Sequence, residues 1–321
     1  MIGVLSLSAG TVIAAHGGAR NVAPEKRRLK EGVLGIVKDV VMDESLKLAF
    51  KRTHPILVFD ASYYTFYRFF ATSKWWDFAK KGEADGESTA SSNGTMTNPA
   101  FKAAFVKHAT ADLARMQKVW KVPKENVVFC RDCSRADIWR MASHPEYKGT
   151  RAVNDKFDAG AFGVMQEVLA AAGVKVIAMP SLEADDVACV LYRAIRGAFG
   201  PEPRVIFITG DHDYLQLKDD TNDIYSMDSK KGKNLWEQGL KKGTSNLVCK
   251  MLMGDQSDNI PSVLTKALAI KCAAMATEEE RRAFLAKVGP NKVAEYERNR
   301  RLMCWSNIPA ELILAIDVVE I

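Results

Sequence analysis

Short apolar runs that lead directly into acidic residues recur along the chain and constrain its fold more than any other feature. Residues 55–60 and 126–132 each form such a run, and residues 204–209 form a third that ends two residues before Asp211. Runs of this length are typical of buried strands, and segments with helical periodicity separate them. Strands that alternate with helices predict an α/β fold with a mostly parallel central sheet flanked by helices.

The remaining elements extend this pattern. Periodicity predicts helices over residues 62–80, 100–120, 159–172 and 185–196, and further strands over 174–178 and 223–227. From about residue 246 the chain reads as wholly helical, which indicates a second, smaller domain. We therefore divide the chain into an N-terminal extension over 1–52, with a helix expected near 34–51, an α/β domain over 53–245 and a helical domain over 246–321.

Nine acidic residues stand in five clusters, most of them just after a predicted strand. Functional side chains of parallel sheets gather at the carboxyl ends of the strands, so these carboxylates are expected in one cleft. Carboxylates share a cleft only when something cancels their repulsion, and divalent cations ordinarily do so. The pattern predicts a two-metal nuclease site made of Asp60, Asp132, Glu183, Asp185, Asp186, Asp211, Asp213, Asp255 and Asp258.

Each acidic cluster also has a simpler interpretation. In an extended segment the side chains of Asp211 and Asp213 face the same way. The same residues are also typical of a polar turn or of a phosphotransferase-type Asp-x-Asp motif. That motif belongs on the first strand, where Asp60 stands alone. Asp185 also fits an ordinary helix N-terminus. Asp255 and Asp258 lie three apart, as on one helical turn, and the Gly, Asn and Pro around them favour a tight hairpin between helices.

The charge balance favours a polyanionic partner. The chain has 45 Lys and Arg against 39 Asp and Glu, a formal charge of +6. If nine acids lie in one cleft, the remaining surface is decidedly basic, although a basic protein without a nucleic-acid role stays an alternative. Lys148 and Arg151 could grip a phosphate, or they could be solvated surface charge.

The six scattered cysteines are typical of reduced thiols in an intracellular protein. Cys130 and Cys133 form a Cys-x-x-Cys pair, but no second pair matches them, so a zinc site is not favoured. Residues 1–19 are apolar but too short and mixed for a membrane span, and they lack the positive charge that opens a signal peptide. We expect a soluble protein of the cytoplasm, the nucleus or a viral replication site.

Taken in order, the motifs resemble the 5′-nuclease (flap endonuclease) superfamily, and most closely its bacterial and bacteriophage 5′→3′ exonuclease branch. The resemblance runs from about residue 57 to 309 and rests on Asp60, Asp132 and the motifs at 147–151, 182–186, 210–213 and 254–261. It implies a PIN-like catalytic domain over 53–245, followed by a DNA-binding domain over 246–321 with a helix-hairpin-helix-like turn.

The resemblance also implies roles for individual residues. Asp60, Asp132, Glu183, Asp185 and Asp186 would bind or support one Mg²⁺ or Mn²⁺ ion, and Asp211, Asp213, Asp255 and Asp258 a second. Asp185, Asp211, Lys148 and Arg151 would be catalytic, with the two basic residues beside the path of a single-stranded 5′ end. One of Tyr63, Tyr64 and Tyr67 would stack a base. The implied DNA contacts are Tyr67, Arg68, Lys148, Arg151, Gly254, Ser257, Asn259, Ser262 and Lys266, with a possible K⁺ ion at the hairpin.

By the same resemblance the protein hydrolyses phosphodiesters of DNA, and of RNA primers, at 5′ ends, flaps or nicks during replication or repair. It would act as a monomer, away from membranes, alongside replication proteins. Two departures stand out: no glycine follows Ser262 where the family has a second turn, and the segment 152–159 leaves room only for a small arch. Alternatives are a catalytically silent, structure-specific DNA-binding scaffold and a PIN-type ribonuclease, although the latter lacks a helical appendage.

Overall fold

The computed structural model describes residues 50–81, 94–152, 154–227, 233–237, 246–313 and 317–319. The N-terminal extension up to residue 49 lies outside this range, and so does most of the helix expected over 34–51. The two described residues of that helix, Phe50 and Lys51, are not helical. The fold is therefore built from Phe50 onward.

One seven-stranded sheet forms the centre of the molecule. Its strands are β1 (Ile56–Asp60), β2 (Val127–Arg131), β3 (Lys175–Ala178), β4 (Val205–Ile208), β5 (Asn222–Ser226), β6 (Lys233–Asn234) and β7 (Asp317–Val319). They lie in the order β6-β5-β4-β1-β2-β3-β7. The five inner strands are parallel, and β6 and β7 pair antiparallel at the two edges. The predicted parallel α/β sheet is confirmed.

Four helices of this region lie where the periodicity predicts them, with ends that differ by at most three residues: α1 (Ala61–Lys81), α2 (Pro99–Trp120), α4 (Gly160–Ala172) and α5 (Ala184–Phe199). The short helix α3 (Trp139–Ser143) was not predicted. The start of α2 has a clear local cause. Pro99 occupies the first turn and the Asn98 side chain accepts hydrogen bonds from the amides of Ala100 and Phe101.

Alternate residues of each strand face opposite sides of the sheet, so the sheet has two separate cores. Leu57 and Phe59 of β1 pack with α1, α2 and α4 on one face. Ile56 and Val58 pack with α5 on the other face. Both faces of the inner strands are buried, which explains why these strands are continuous apolar runs.

The chain beyond residue 246 is mostly helical, with a core of its own. Its helices are α6 (Leu247–Met253), α7 (Lys266–Ala273), α8 (Glu278–Val288), α9 (Lys292–Met303) and α10 (Ala310–Ile313). Leu252, Leu285 and Leu302 are buried in this third core. The helical region is confirmed, but the prediction of a wholly helical chain from residue 246 is wrong.

Strand β7 is the element that contradicts it. Val318 of β7 pairs with Ile177 of β3 in an antiparallel register. Residues 317–319 were not predicted as a strand, because three residues are too few to show a period of two. The division of the chain at residues 52 and 245 stays a prediction.

Candidate metal centre

The parallel strands bring three of the predicted carboxylates to one edge of the sheet. Asp60 is the last residue of β1, Asp132 follows β2, and Asp211 follows β4. Asp60 accepts hydrogen bonds from the Tyr63 amide at 2.9 Å and from the Thr209 hydroxyl at 3.3 Å. Burial, and then repulsion from Asp132 and Asp211, raises the pKa of Asp60 to about 7. The three carboxylates therefore lie close enough to interact.

Asp132 connects this strand edge to the next group of acids. One of its oxygens accepts a hydrogen bond from the Ala184 amide at 2.9 Å, at the start of α5. The other accepts one from the Ser62 hydroxyl in the first turn of α1. Asp132 thus fixes the N-termini of two helices relative to β2, and both helices begin at the same edge.

Glu183, Asp185 and Asp186 form the first group whose oxygens could share an ion, since one oxygen from each lies within 4.8 Å of the others. Glu183 and Asp186 form a capping box around the first turn of α5. Asp185 is turned into the site, where burial and the neighbouring Asp186 and Glu183 raise its pKa well above the ordinary value. One oxygen of Asp185 accepts a hydrogen bond from the Asp186 amide at 2.9 Å, and a carboxyl surrounded by other acids in this way favours a bound cation.

A buried arginine already compensates part of this negative charge. Arg140 of α3 donates to Asp186 at 2.6 and 2.7 Å and to Glu183 at 2.8 Å. Asp186 also accepts a hydrogen bond from the Trp139 indole at 2.9 Å. The oxygens of Asp186 are therefore occupied by protein donors, which suits a residue that supports Asp185 and Glu183.

A second candidate group consists of Asp213, Asp255 and Asp258, whose oxygens also lie within 4.8 Å of one another. Asp255 caps the short 3₁₀ turn Gln256–Asp258, as the spacing of three predicts. Burial, and then repulsion from Asp211, raises the pKa of Asp213 to about 6 even though Lys250 opposes this shift. Residues from the α/β region and from the helical region thus meet in one group.

The expected geometry of Asp211 and Asp213 is wrong in one respect. The segment after β4 is not extended: a 3₁₀ helix spans His212–Leu217, and Asp211 caps it by accepting a hydrogen bond from the Asp213 amide at 2.8 Å. Tyr214 and Leu215 are buried, so the turn is held against the core. Asp211 consequently lies toward Asp60, and Asp213 toward Asp255.

Basic side chains lie among the carboxylates of both groups. Lys148 pairs with Glu183, and Arg151 pairs with Asp258 at 2.6 Å. The predicted basic pair is therefore brought to the site. Lys148 has a left-handed backbone, with φ of 56°, and its amide donates to the Asp258 carbonyl at 2.9 Å. This contact fastens the 147–151 motif to the hairpin that carries Asp258.

Three parts of the site were not predicted. They are Arg140, Lys250 and the hydrogen bonds from the Tyr147 hydroxyl to the acids. The Tyr147 hydroxyl lies 3.0 Å from Glu183 and 3.1 Å from Asp258, so it joins the two groups. Lys250 of α6 pairs with Asp213 and lies 3.0 Å from Asp255. The only sequence signal for these residues was that Lys250 stands five residues before Asp255. Without a structure, such a lysine is indistinguishable from ordinary surface charge.

The predicted DNA contacts fall into two sets. Arg68 is mostly buried and forms an ion pair with Asp112. Tyr64 is buried, and its hydroxyl donates a hydrogen bond to the Ala109 carbonyl at 3.0 Å. Neither of these side chains is presented to solvent. Tyr63 and Tyr67 are half-buried, with ring centroids 6.4 Å apart, so they are better placed to meet a base.

The hairpin residues lie together beyond the second acid group. Gly254 has a backbone φ of 71°. Asn259 has a left-handed backbone, and its side-chain amide donates a hydrogen bond to the Glu146 carbonyl at 2.8 Å. Ser257 and Ser262 donate their hydroxyls within the hairpin, and Lys266 begins α7. The buried Asn299 amide donates to the carbonyls of Met251 and Pro261, which closes the hairpin in the absence of a second glycine turn. These DNA contacts stay predictions.

The helices of the described residues include none that is long and apolar enough to cross a membrane.

Comparison with known proteins places the α/β region in a family. Residues 55–243 match the family model described as "5'-3' exonuclease, N-terminal resolvase-like domain". DNA polymerase I of Mycobacterium bovis is 32% identical over 145 residues, which are 41% of this chain and 15% of that protein. DNA polymerase I of Treponema pallidum is 29% identical over 142 residues, 40% of this chain and 13% of that protein. The match thus covers only a small part of these curated relatives.

Two solved structures share the fold. The T5 D15 protein co-crystallised with metal ions has a TM-score of 0.53 at 14% identity, over 79% of this chain and 90% of that one. A variant of the bacteriophage T5 D15 flap endonuclease, in a pseudo-enzyme-product complex with DNA and metal ions, also has a TM-score of 0.53 at 14% identity, over 81% of this chain and 95% of that one.

Proposed function

The chain belongs to the 5′-3′ exonuclease family of nucleases through its N-terminal resolvase-like domain, and we propose that it hydrolyses DNA phosphodiesters at 5′ ends, flaps and nicks. One observation carries this proposal: two groups of three carboxylates meet between the sheet edge and the hairpin, with Asp60 and Asp211 beside them. The flap endonuclease among the structural neighbours, in complex with DNA and metal ions, supports the choice of substrate.

The donors of the site suit Mg²⁺ or Mn²⁺, because both ions prefer carboxylate and other oxygen ligands. Asp60, Asp132, Glu183 and Asp185 would hold one ion, with Asp186 in support, and Asp211, Asp213, Asp255 and Asp258 a second. Burial, followed by repulsion from neighbouring carboxylates, raises the pKa values of Asp60 and Asp185, and bound cations would oppose both effects. When bound, divalent cations supply Lewis-acid stabilisation of the phosphate and favour ionisation of a bound water.

The protein's own cations have a separate task. Lys148 and Arg151 now pair with Glu183 and Asp258, at the boundary between the two groups. A scissile phosphate at this boundary would offer both side chains a second anionic partner, and they would orient it and stabilise its developing charge. Phosphate contacts carry no base identity, so we expect cleavage to depend on the structure of the substrate more than on its sequence.

The hairpin would hold the duplex part of the substrate. Gly254, Ser257, Asn259, Ser262 and Lys266 lie within one segment beyond the acids, and backbone amides in such turns bind phosphates. A K⁺ ion at the hairpin, RNA–DNA hybrids as substrates, a monomeric state and contacts with replication proteins belong to the same proposal. Tyr67, more than the buried Tyr64, would stack a base of the 5′ strand.

The test is cleavage of a 5′-end-labelled DNA flap by the wild type, Asp185→Asn and Asp77→Asn, with Mg²⁺ or with EDTA. Asp77 is an exposed aspartate of α1, far along the helix from the site, and serves as the matched control. We expect Mg²⁺-dependent product from the wild type and the control. Asp185→Asn should lose at least about 100-fold in rate, typical of a lost electrostatic group in catalysis, and keep its affinity for the flap in Ca²⁺.

Other results would change the conclusion. A near-normal rate for Asp185→Asn would refute the metal assignment. Flap binding that weakens with salt, without cleavage in any metal, would identify a silent scaffold. Cleavage of RNA hairpins with no action on DNA flaps would identify a PIN-type ribonuclease.

A further inference from the structure

A cavity of about 570 Å³ is lined in part by the 3₁₀ turn that follows Asp211. Its other walls come from α5, from Trp236 after β6, from the start of α6, from α7 and α8, and from the segment after α9. Sites for small ligands commonly measure roughly 300 to 1,000 Å³. The cavity is therefore of a size that could hold a molecule of one or two rings.

The walls are mainly apolar. Leu215, Leu217, Trp236, Leu247 and Val248 line the cavity within the described part of the chain. A cavity with such walls does not suit a polyanion such as the DNA backbone, whose phosphates would be desolvated without enough partners. It suits a compact apolar body.

One polar group in the wall stands out. Arg193 of α5 is half-buried and lines the cavity, and among the residues that the structure describes it has no hydrogen bond and no ion pair. The other arginine of the wall, Arg281, pairs with Glu278 at 3.1 Å and donates to the Met275 carbonyl at 2.9 Å. Arg196, one turn further along α5, donates to the carbonyls of Pro201 and Pro203.

The guanidinium of Arg193 is half-buried, and none of its nitrogens is among the buried side-chain atoms that lack a hydrogen-bond partner, so solvent still reaches it. Within the described ranges Arg193 is the cation of the cavity without an ion pair, since Arg281 pairs with Glu278. An anion in the cavity would therefore meet a cation that no described acid engages. A carboxylate suits it especially well, because a carboxylate accepts two parallel hydrogen bonds from a guanidinium.

We propose that this cavity binds a small apolar carboxylate, with the acid group on Arg193 and the hydrophobic body between the leucines and Trp236. No carboxylate of the metal centre lines the cavity, so binding requires neither divalent cations nor DNA. Trp305 lines both the cavity and the cleft that contains Asp185 and Asp213, so the ligand would share one wall with the metal centre.

The experiment compares 2-naphthoate with 2-naphthalenemethanol, a neutral probe of nearly the same shape, by titration calorimetry in EDTA. The wild type should bind the carboxylate about tenfold or more tightly than the alcohol, the difference that one hydrogen-bonded ion pair provides. Arg193→Gln should abolish this preference. The control Arg196→Gln should keep it, and Val248→Trp should fill the cavity and weaken both probes.

Three results would overturn the proposal: no binding of naphthoate by the wild type, equal affinity for the two probes, or a preference that survives in Arg193→Gln. Thermal melting of each variant shows whether it is folded, and Arg193→Lys, which retains the charge, should retain part of the preference. Because the titration needs no cleavage, its failure is distinguishable from failure of the proposed nuclease function.

Discussion

Arg140 holds Asp186 in a fork, with its two terminal nitrogens 2.6 and 2.7 Å from the two carboxylate oxygens. The same guanidinium donates to the Leu302 carbonyl of α9 at 2.7 Å. A single buried cation thus connects the acid-rich start of α5 to the helical region. The acids of the first group are consequently positioned by the protein before any ion binds.

We expect Arg140→Met to lower the free energy of unfolding by about 3–5 kcal/mol, because it leaves Asp186 and Glu183 buried without their cation. Urea denaturation of the metal-free protein measures this change. The control Arg282→Met removes a pair with Glu297 that is largely solvated, and should cost less than about 1 kcal/mol. A loss for Arg140→Met as small as that of the control would show that the buried pair of Arg140 with Asp186 stabilises the fold no more than a solvated pair does.

Lys250→Met should make the protein depend more strongly on divalent ions for stability. Lys250 pairs with Asp213 and Asp255, so its removal leaves two acids of the second group uncompensated. In EDTA we expect a loss of about 1–3 kcal/mol, and a rise in melting temperature with Mg²⁺ that exceeds the rise in the wild type. Lys271→Met, on the exposed face of α7, should show the wild-type rise. An equal rise in all three proteins would contradict the prediction.

Gly254→Ala should destabilise the hairpin by more than about 2 kcal/mol. Gly254 has φ of 71°, and a Cβ there would lie 2.4 Å from the Ile260 carbonyl oxygen. The matched control is Gly163→Ala in α4, where a Cβ meets nothing within 4 Å and alanine should stabilise the helix by about 0.5–1 kcal/mol. Thermal unfolding separates these opposite changes. The same sign for both would mean that the tight contact at Gly254 is relieved by movement of the hairpin.

Lys175→Met should stabilise the protein at neutral pH. Burial lowers the pKa of Lys175 to about 8, and Glu125 only partly opposes this shift. The folded pKa lies below the unfolded value of about 10.4, so the unfolded chain binds more protons between these values and wild-type stability rises with pH across that window.

The penalty is therefore complete below pH 8, where we expect Lys175→Met to gain about 1 kcal/mol after the lost hydrogen bond to the Glu125 carbonyl is allowed for. The gain should vanish as pH rises past about 10.4. Urea denaturation at both extremes measures it, with Lys51→Met as the exposed control. A gain that does not change with pH would attribute the effect to packing.

The sequence was sufficient to predict the five inner strands and the edge at which the acids meet, since both depend on local pattern. Asp60, Asp132 and Asp211 each come shortly after an apolar run, and the crossover connections of a parallel sheet bring such positions to one edge. The hairpin at Gly254 was predicted for the same reason, from the Gly, Asn and Pro around Asp255 and Asp258.

Arg140 and Lys250 were not predictable as cations of the site, because each reaches an acid that is far away in the sequence. Arg140 lies 46 residues from Asp186, and Lys250 lies 37 residues from Asp213. Nothing in the local pattern distinguishes them from surface charge until the fold brings them to the acids. The 3₁₀ turn after Asp211 was missed because burial of Tyr214 and Leu215, a tertiary effect, selects it over an extended chain.

The edge strand β7 gives the helical region two attachments to the same sheet. Helices α6 to α10 leave the sheet after β6 and return to it through β7, which pairs with β3 at the opposite edge. In topological terms the helical region is an insertion between two edge strands of one sheet, and not a separate module that is joined to the sheet at one end only. Motion that separates the hairpin acids from the sheet acids is thereby restrained at both ends, so opening of the cleft and loss of the outermost strand pairing become linked events.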